Sequence, residues 1–570
     1  MISTGGTTQL GLYEFRGKVE ETISNFNDEK DQILDDFQDT IDIAAAAGAG
    51  ANGWTDLLVQ TWSGRTQEDK NKDVVHAEDY SFTGIGDEST KLKNLFSNNI
   101  VVLQKDAVYS FNETINLQNI IIFANNATLS LLTNISDWAI KFNANVQIIG
   151  KLNIEVPDGF GARVYGNNFK VDELEVISIS PSQNFGFQVQ TANTSAYVEN
   201  CNIGKVTTKN FVSQQQIFRV KNSWFGSLIC ENYRTGVYFR DLKNVQVAYI
   251  EAKQMFPDSV GSAGSNGLLC ESTIDNHSMT NVTVHKVHVE DSPEHGVRFG
   301  GQYTISDFHF GSIYTKNTGA GVSRTGGSGF KILGGNQARP LFNYHENITV
   351  GSIVSEDCCV SAGVNNFAAL TISHAKGVTV GSHIVRKVNN ATYSCFRGLH
   401  LACCSDINIL SQDYKDTNIN GVMFYNGEQP DMEAYDYIER INLPNYNCKS
   451  ISTNSASIYF NASYTKIADI TINGTLTQDI YVRAETQTGT GSTTAVKITI
   501  KAKPFSADTT GKVPPLLMPN TANGFVVNVT SKWFGTYGSS CSDGSVFIDP
   551  TTSPNFRYRS GGTWRVPTLS

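Results

Sequence analysis

The densest group of side chains that could do chemistry lies in residues 288–298, which read His-Val-Glu-Asp-Ser-Pro-Glu-His-Gly-Val-Arg. Its members of interest are three carboxylates, an imidazole and a guanidinium: Glu290, Asp291, Glu294, His295 and Arg298. A carboxylic acid beside other negative charges has a raised pKa, which is the property that an acid catalyst needs at neutral pH. The segment therefore favours acid–base chemistry.

The residues around this cluster predict where its side chains point. Pro293 and Gly296 favour a turn between two strands. Val297 and Phe299 then alternate into the core, so Arg298 projects outward between them. The cluster would thus occupy an exterior corner of the protein.

A weak repeat indicates how such corners are positioned. Gly followed by alternating apolar residues recurs about once every thirty positions, at Gly236-Val-Tyr-Phe, Gly267-Leu-Leu-Cys, Gly296-Val-Arg-Phe, Gly329-Phe-Lys-Ile, Gly398-Leu-His-Leu and Gly421-Val-Met-Phe, with a Gly-less copy at Ala368-Ala-Leu-Thr-Ile. A second strand pattern, such as Asn281-Val-Thr-Val, lies between the copies. Short strands without helices between them predict an all-β parallel solenoid. Each repeat would bury its apolar side chains against its neighbours.

Alignment of the repeats extends the cluster to neighbouring turns. Glu356 and Asp357 fall at the corresponding turn of a later repeat, and Glu251 falls at the same turn one repeat earlier. Adjacent repeats stack about 4.8 Å apart, so carboxylates on neighbouring turns come close together. The alternative is a solvated charge ladder of Glu251, Glu290, Lys316, Glu356, Arg386 and Asp416.

Other residues could also form the site. An acidic loop, Glu428-Gln-Pro-Asp-Met-Glu-Ala-Tyr-Asp436, follows a strand, and loops inserted on a solenoid often line its binding face. Four cations are clustered in sequence, Arg298, Arg324, Lys331 and Arg339. They could bind an acidic ligand or form ion pairs with the turn carboxylates. Three aromatic residues, Trp224, Tyr233 and Tyr238, could stack on the ring of a ligand or belong to an aromatic stack in the core.

Composition excludes several function classes. The net charge of −10 argues against nonspecific nucleic-acid binding, and the chain lacks an apolar run long enough to span a membrane. Without Cys-x-x-Cys spacing we expect no zinc site, and nothing in the sequence implies another metal or a cofactor. The vicinal pairs Cys358-Cys359 and Cys403-Cys404 favour free thiols that fill the core. Abundant Asn suits solenoid turns, because Asn tolerates left-handed conformations.

The chain divides into four predicted parts. Residues 1–53 contain a helix over 13–44 with a heptad seam, which favours self-association over packing on the chain's own body, followed by a Gly/Ala-rich neck. An entry segment covers 54–112, the solenoid 113–492, and a β-rich cap 493–570. The N-terminus, Met1-Ile-Ser-Thr-Gly-Gly, lacks the features of a signal peptide, so we expect synthesis in a cytoplasm.

Several stretches resemble bacteriophage tailspike depolymerases with a right-handed parallel β-helix. The stretch from Asp42-Ile-Ala-Ala-Ala-Ala to Gly64-Arg-Thr-Gln67-x-x-x-Asn71 is similar to the neck before such solenoids, and Thr114 to Leu132 resembles the opening coil of pectate-lyase-like chains. The blocks 292–301 and 326–335 are similar to segments of capsule-degrading tailspikes of phages that infect Acinetobacter. The resemblance covers most of the chain, and its motifs are structural more than catalytic.

The resemblance implies a homotrimer in the virion, attached to the phage tail or an adaptor protein through its N-terminus, that depolymerises capsular or O-antigen polysaccharide. Hydrolytic members need two carboxylates about 5–10 Å apart, flanking a glycosidic bond. We expect Glu294 to be the acid, with Asp291 or a carboxylate of a neighbouring repeat as base or nucleophile. Glu290, Glu356 and Asp357 are the further carboxylate candidates.

The sequence leaves three alternatives to hydrolysis by a tailspike. β-Elimination at a uronic acid would use His295 as base and Arg298 to neutralise the sugar carboxylate. A non-catalytic adhesion spike would keep cations and aromatic residues but would not need paired carboxylates. A secreted pectinase is disfavoured, because the chain lacks a secretion signal and carries the heptad helix.

Overall fold

The computed structural model describes residues 74–191, 196–256, 265–319, 327–334, 343–359, 368–388, 395–425, 437–450, 456–461, 466–477, 482–485, 496–504, 516–517, 525–529, 546–548, 556–560 and 563–565. Among these residues helix is confined to a 3₁₀ turn, Ala77–Tyr80, and to α1, Ser89–Leu95. The described chain is all-β, as the repeat pattern predicts.

The strands of the first half are β1 (Val74–His76), β2 (Ile100–Val102), β3 (Val108–Phe111), β4 (Ile115–Leu117), β5 (Ile120–Phe123), β6 (Ala127–Leu131), β7 (Trp138–Phe142), β8 (Val146–Val156), β9 (Phe160–Val164), β10 (Lys170–Val189), β11 (Val198–Glu199), β12 (Asn202–Phe218), β13 (Val220–Tyr233), β14 (Thr235–Arg240), β15 (Lys243–Met255) and β16 (Leu268–Ser272).

The strands of the second half are β17 (Met279–Glu290), β18 (Val297–Gly301), β19 (Ile305–Lys316), β20 (Phe330–Leu333), β21 (His345–Glu356), β22 (Leu370–Arg386), β23 (Cys395–Ile409), β24 (Gln412–Tyr425), β25 (Tyr437–Ser450), β26 (Ala456–Asn461), β27 (Lys466–Thr477), β28 (Val482–Glu485), β29 (Val496–Pro504), β30 (Leu516–Leu517), β31 (Phe525–Val529), β32 (Val546–Ile548), β33 (Phe556–Ser560) and β34 (Thr563–Arg565).

Long parallel strands form one large sheet, in which a strand commonly pairs with the strand two elements later. The series β14–β16–β18–β20 pairs in this way, and so does the series β13–β15–β17–β19–β21. The two series alternate along the chain, so each repeat contributes one short and one long strand. This pairing is compatible with the predicted β-solenoid.

The Gly-led motifs stack in register, as the repeat alignment predicts. Their first apolar residues pair in the order Val237, Leu268, Val297, Phe330, Leu370, Leu399 and Val422, and all seven are fully buried. Gly296 permits the close approach of two repeats, because a Cβ there would lie 2.6 Å from the carbonyl oxygen of Gly329. The core is therefore a continuous column of apolar side chains.

Asparagine residues form a ladder where the chain turns between two segments of each repeat. The positions of this Asn ladder have positive φ: Asn119, Asn145, Asn168, Asn200, Asn222, Asn244, Asn281, Asp307 and Asn347. Most neighbouring side chains bond to one another, as where Nδ2 of Asn145 donates to Oδ1 of Asn119 at 2.9 Å. The expectation that Asn occupies left-handed turns is confirmed at these residues.

The cysteines also match the expectation where the structure describes them. Cys358, Cys359 and Cys404 are buried free thiols. Burial raises the pKa of Cys359 to about 12, so its thiol stays protonated at neutral pH. These residues fill the core as small apolar groups.

Near the C-terminus the pairing changes from parallel to antiparallel. Parallel pairing continues past the predicted boundary at 492/493, since β29 pairs with β27 and β31 pairs with β29. The strands β32, β33 and β34 form a separate antiparallel sheet. The described residues from His76 onward belong to one compact unit. In the described part of the chain, no helix is both long and apolar enough to cross a membrane.

Some expectations fall outside the described residues. They are the heptad helix 13–44, the neck up to residue 53, the segment 54–73 and the acidic loop 428–436.

Candidate functional site

The carboxylates predicted at the exterior corner belong to a ladder of ion pairs. Strand register places Glu290, Lys316, Glu356 and Arg386 beside one another on consecutive strands, and we call these four residues the charge ladder. Lys316 Nζ lies 3.7 Å from Glu290 Oε2, and Arg386 Nε donates to Glu356 Oε1 at 2.5 Å. The alternative interpretation, a ladder of charges, therefore describes these residues, although Glu356 is buried rather than solvated.

Two further side chains bind the same carboxylates. Nε2 of His288 lies 2.7 Å from Oε1 of Glu290, and the hydroxyl of Tyr314 donates to Oε2 of Glu356 at 2.6 Å. Both carboxylates are thus already bound on two sides by protein groups. Glu290 and Glu356 are consequently weak candidates for catalysis.

Asp291 and Asp357 hold corresponding corners, as the alignment predicts, and both have structural partners. Their φ angles are +55° and +48°. Nδ2 of Asn317 donates to Oδ1 of Asp291 at 2.6 Å, and the Val388 amide donates to Oδ1 of Asp357 at 3.1 Å. These carboxylates stabilise left-handed turns, so the expectation that Asp291 is a base or nucleophile loses its support.

The predicted position of Glu251 is wrong. Glu251 pairs with His288 rather than with Glu290. The left-handed corner of its repeat is Gln254, with a φ of +63°, three residues after Glu251, whereas Asp291 directly follows Glu290. The repeats therefore differ in length ahead of this corner, and the alignment shifted Glu251 by two positions.

Glu294 lies beyond the charge ladder, in the turn between β17 and β18, with 13% of its side chain exposed. Nε2 of His295 lies 3.3 Å from its Oε1, and Nη1 of Arg298 lies 3.7 Å from its Oε2. Burial raises the pKa of Glu294, but the His295 hydrogen bond and the charges of Arg298 and Lys331 outweigh burial, so the pKa is lowered overall. The expected raised pKa is wrong, because cationic groups rather than carboxylates surround Glu294.

His295 is a fully buried donor to Glu294. Its Nδ1 accepts the Ser328 amide at 3.0 Å, so in the neutral ring the proton sits on Nε2, which faces Glu294. Burial, followed by the charge of Lys331, lowers the pKa of His295 to about 4. At neutral pH His295 is therefore an uncharged hydrogen-bond donor, and the expectation that it acts as a base for elimination is not supported.

Lys331 completes this group from the next strand. Lys331 is the register partner of Arg298 on the neighbouring strand, and its Nζ lies 3.5 Å from Nε2 of His295. Burial lowers the pKa of Lys331 to about 7, and the charge of Arg298 adds to the effect. The outward positions Tyr238, Leu269, Arg298 and Lys331 follow one another in register, and we call them the Arg298 row.

A second carboxylate, which the sequence interpretation missed, lies on the same face. Glu271 is the register partner of Gly300, two residues beyond the Arg298 row, and accepts a short hydrogen bond from the Tyr238 hydroxyl. A Cβ on Gly300 would lie 3.6 Å from Arg298 Nε and 3.9 Å from Glu271 Oε1. Glycine thus leaves open the space that Glu271 and Arg298 border. The sequence signal that could have identified Glu271 is its outward position in the Gly267 motif.

Three buried polar atoms at this face make no hydrogen bond within the described structure: Glu294 Oε2, Arg298 Nε and Asn266 Nδ2. Asn266 is held in place because its Oδ1 accepts the His295 amide at 3.3 Å. Buried polar groups without partners cost free energy, and such groups usually have a reason such as ligand binding. We call Glu271, Glu294, His295, Arg298 and Lys331 the candidate site.

The predicted stacking platforms lie in different places. Tyr233 is fully buried and donates to the carbonyl oxygen of Glu290 at 3.1 Å, so its predicted role in ligand binding is wrong. Tyr238 packs edge-on against Phe218 beside Glu271. Trp224 is 42% exposed, but it lies in another row, between Asn202 and Gln246.

Arg324 and Arg339, the remaining predicted cations, lie outside the described residues. The structure therefore brings Arg298 and Lys331 to the candidate site and leaves the other two predictions as they stand.

Comparison with known proteins adds no identification: no model of a protein family matches the chain, and neither does any curated protein.

Proposed function

We propose that the chain is a homotrimeric phage tailspike whose right-handed parallel β-helix binds and depolymerises a bacterial capsular or O-antigen polysaccharide. In this proposal the spike is part of the virion, and its N-terminus attaches to the tail or to an adaptor protein. The parallel pairing of repeats supports the proposal, because a stack of repeats offers a long rigid face to a polymer.

The observation that carries the enzyme proposal is the position of two carboxylates, Glu271 and Glu294, on the same face as Arg298. Glu271 and Arg298 both border the space over Gly300, and Glu294 lies 3.7 Å from Arg298 in the turn before β18. The unpartnered atoms of Glu294 and Arg298 suit polar groups of a bound sugar. Glycosidic hydrolysis uses two carboxyl groups on either side of the scissile bond.

The surroundings of Glu294 determine its role in this reaction. Glu294 has a lowered pKa and is ionised at neutral pH, so it serves as base toward water or as nucleophile at the anomeric carbon. Glu271 then supplies the proton to the leaving glycosidic oxygen as the carbon–oxygen bond breaks. Arg298 orients Glu294 and binds the sugar, and His295 holds the carboxylate by a neutral hydrogen bond.

One observation favours a second candidate, β-elimination at a uronic acid. Lys331 has a pKa of about 7, so a fraction of it is the free amine at neutral pH and can accept a proton from carbon. Arg298 would neutralise the sugar carboxylate, which acidifies that proton. In this reaction the proton moves to Lys331 while the bond to the leaving oxygen breaks, and a carbon–carbon double bond forms.

The experiment is digestion of purified capsular and O-antigen polysaccharides from a panel of strains, followed by size-exclusion chromatography and ultraviolet absorbance. Shorter chains without new absorbance are the expected result and indicate hydrolysis. Shorter chains with absorbance of a new double bond indicate elimination. Binding without shortening on every polymer contradicts the enzyme proposal and leaves the adhesion spike.

A further inference from the structure

Trp224 is the centre of a depression outside the candidate site. The depression has a volume of about 380 Å³ and is lined by Asn200, Cys201, Asn202, Asn222, Ser223, Trp224, Asn244 and Gln246. Asn244 lies near the start of β15 and has a positive φ, and in sequence it falls between Tyr238, of the Arg298 row, and Gln246, which borders Trp224. The depression and the candidate site therefore occupy different segments of the repeat.

The Asn ladder is interrupted at this depression. Asn200 donates from Nδ2 to Asn168 at 3.2 Å, and Asn222 accepts at Oδ1 from Asn244 at 3.1 Å. Asn200 and Asn222 do not bond to each other through their side chains, although they are consecutive members of the ladder. The gap leaves Oδ1 of Asn200 as an acceptor and Nδ2 of Asn222 as a donor at the surface.

The indole of Trp224 is held in an orientation that leaves part of it exposed. Its Cη2 lies 2.8 Å from where a Cβ on Gly226 would be, so the ring extends over the glycine backbone. Trp224 is 42% exposed, the Cys201 amide donates to Oγ of the adjacent Ser223 at 2.9 Å, and the neighbouring strands place Asn202 and Gln246 on either side. An exposed ring between amide side chains has one apolar and several hydrogen-bonding surfaces.

We propose that the Trp224 depression is a second, non-catalytic saccharide site that takes an uncharged pyranose ring of the polymer. The indole would stack on the apolar face of the ring, and the amides at the gap would bond to hydroxyl or acetamido groups. The lining residues carry no charged side chain, which distinguishes this site from the cation-rich candidate site. The identity of the polymer rests on the proposed function, whereas the site itself does not.

A second site of this kind would hold the polymer on the body between cleavage events. Two weak sites on one chain raise the overall affinity because the second contact is intramolecular. Loss of the Trp224 site should therefore weaken polymer binding while leaving the reaction at the candidate site unchanged on short substrates.

The test compares wild-type protein with Trp224→Ala, Trp224→Phe and the control Ile179→Ala, which removes another exposed apolar side chain. The probes are immobilised bacterial capsular polysaccharides, neutral and acidic, and oligosaccharides released from a polymer that the protein cleaves. We expect Trp224→Ala to bind polymer about tenfold more weakly, while Trp224→Phe retains most of the affinity and Ile179→Ala all of it. Cleavage of the oligosaccharides should be unchanged in all three variants.

The inference is overturned if Trp224→Ala binds every polymer as wild type does, or if wild type binds none. It is also overturned if Trp224→Ala changes the oligomeric state in light scattering, since Trp224 would then contact another copy of the chain. If wild type binds without cleaving and Trp224→Ala weakens that binding, the second site stands and the enzyme proposal falls. If wild type cleaves and Trp224→Ala binds normally, the enzyme proposal stands and the second site falls.

Discussion

Nζ of Lys331 lies 3.5 Å from Nε2 of His295, and both side chains are buried. Two positive charges this close in a poorly solvated place repel each other strongly. Burial and the charge of Arg298 lower the pKa of Lys331 to about 7, and burial and the charge of Lys331 lower the pKa of His295 to about 4. Between these two pKa values His295 is neutral and Lys331 is charged, so the positive charge of Lys331 helps to keep Glu294 ionised.

Lys331 should impose a pH-dependent cost on stability. Its pKa falls from 10.5 in the unfolded chain to about 7 in the folded one, so the unfolded chain binds more protons between these values and stability rises with pH there. We expect Lys331→Met to raise the free energy of unfolding most below pH 7, and this gain to shrink toward pH 10.5. Denaturant titrations across this range measure it.

The control is Lys316→Met, which removes a partly exposed lysine from the charge ladder. Its effect on the free energy of unfolding should be small, because ion pairs in contact with solvent contribute little. Equal pH dependence in the two variants would contradict a special environment for Lys331.

His345 should contribute to unfolding in acid. It is fully buried, accepts the Ile305 amide at Nδ1 and bonds to the Leu333 carbonyl through Nε2, and burial lowers its pKa to about 3. As pH falls from 6.5 to about 3, the unfolded chain gains a proton that the folded chain does not, so stability falls. We expect His345→Gln to lose about 1–3 kcal/mol at neutral pH and to show a shallower decline in acid. His309→Gln, at an exposed position, should show neither effect in the same titration.

Gly296 should not tolerate a side chain. A Cβ there would lie 2.5 Å from Thr315 Cγ2 and 2.6 Å from the Gly329 carbonyl oxygen, so adjacent repeats would have to separate. We expect Gly296→Ala to lower the free energy of unfolding by about 1–3 kcal/mol. Gly159→Ala is the matched control, because the nearest atom to its Cβ is 3.8 Å away on the Asn134 side chain. Similar melting temperatures for the two variants would contradict this account of the stacking.

Asn244 contributes to the Asn ladder in two separable ways. Its φ is +53°, and its side chain donates to Asn222 at 3.1 Å and accepts from Asn281 at 2.8 Å. We expect Asn244→Ala to cost about 1–3 kcal/mol, because it loses both bonds and strains a left-handed turn. Asn244→Gly keeps the turn and loses only the bonds, so its melting temperature should lie between those of Asn244→Ala and wild type. Equal losses would mean that the turn conformation contributes nothing.

The repeat could be predicted from sequence because its signal is periodic. The Gly-led motifs align Val237, Leu268 and Val297 in the chain and in the sheet alike, since each repeat must bury the same positions against its neighbours. Differences in repeat length defeated the finer alignment at Glu251. One corner can absorb extra residues without disturbing the core, so apolar periodicity carries no information about it.

The candidate site could be predicted only in part. Segment composition found Glu294, His295 and Arg298, and the cluster of cations found Lys331. Composition could not show that Glu290 faces Lys316 whereas Glu294 faces Arg298. The turn between the two residues gives them different neighbours. Glu271 escaped notice because it comes from another strand and no acidic neighbour marks it.

Glu294 and Glu356 offer a direct contrast between the candidate site and the charge ladder. Glu294 has an unpartnered buried oxygen, whereas both oxygens of Glu356 are bound, by Arg386 and by Tyr314. We expect Glu294→Gln, and likewise Glu271→Gln, to slow polymer cleavage by about a hundredfold to ten-thousandfold. Glu356→Gln should leave the rate nearly unchanged at a temperature where all variants are folded. Initial rates of polymer shortening on one susceptible polysaccharide measure this. A large loss in Glu356→Gln with normal rates in the other two would return the catalytic centre to the charge ladder.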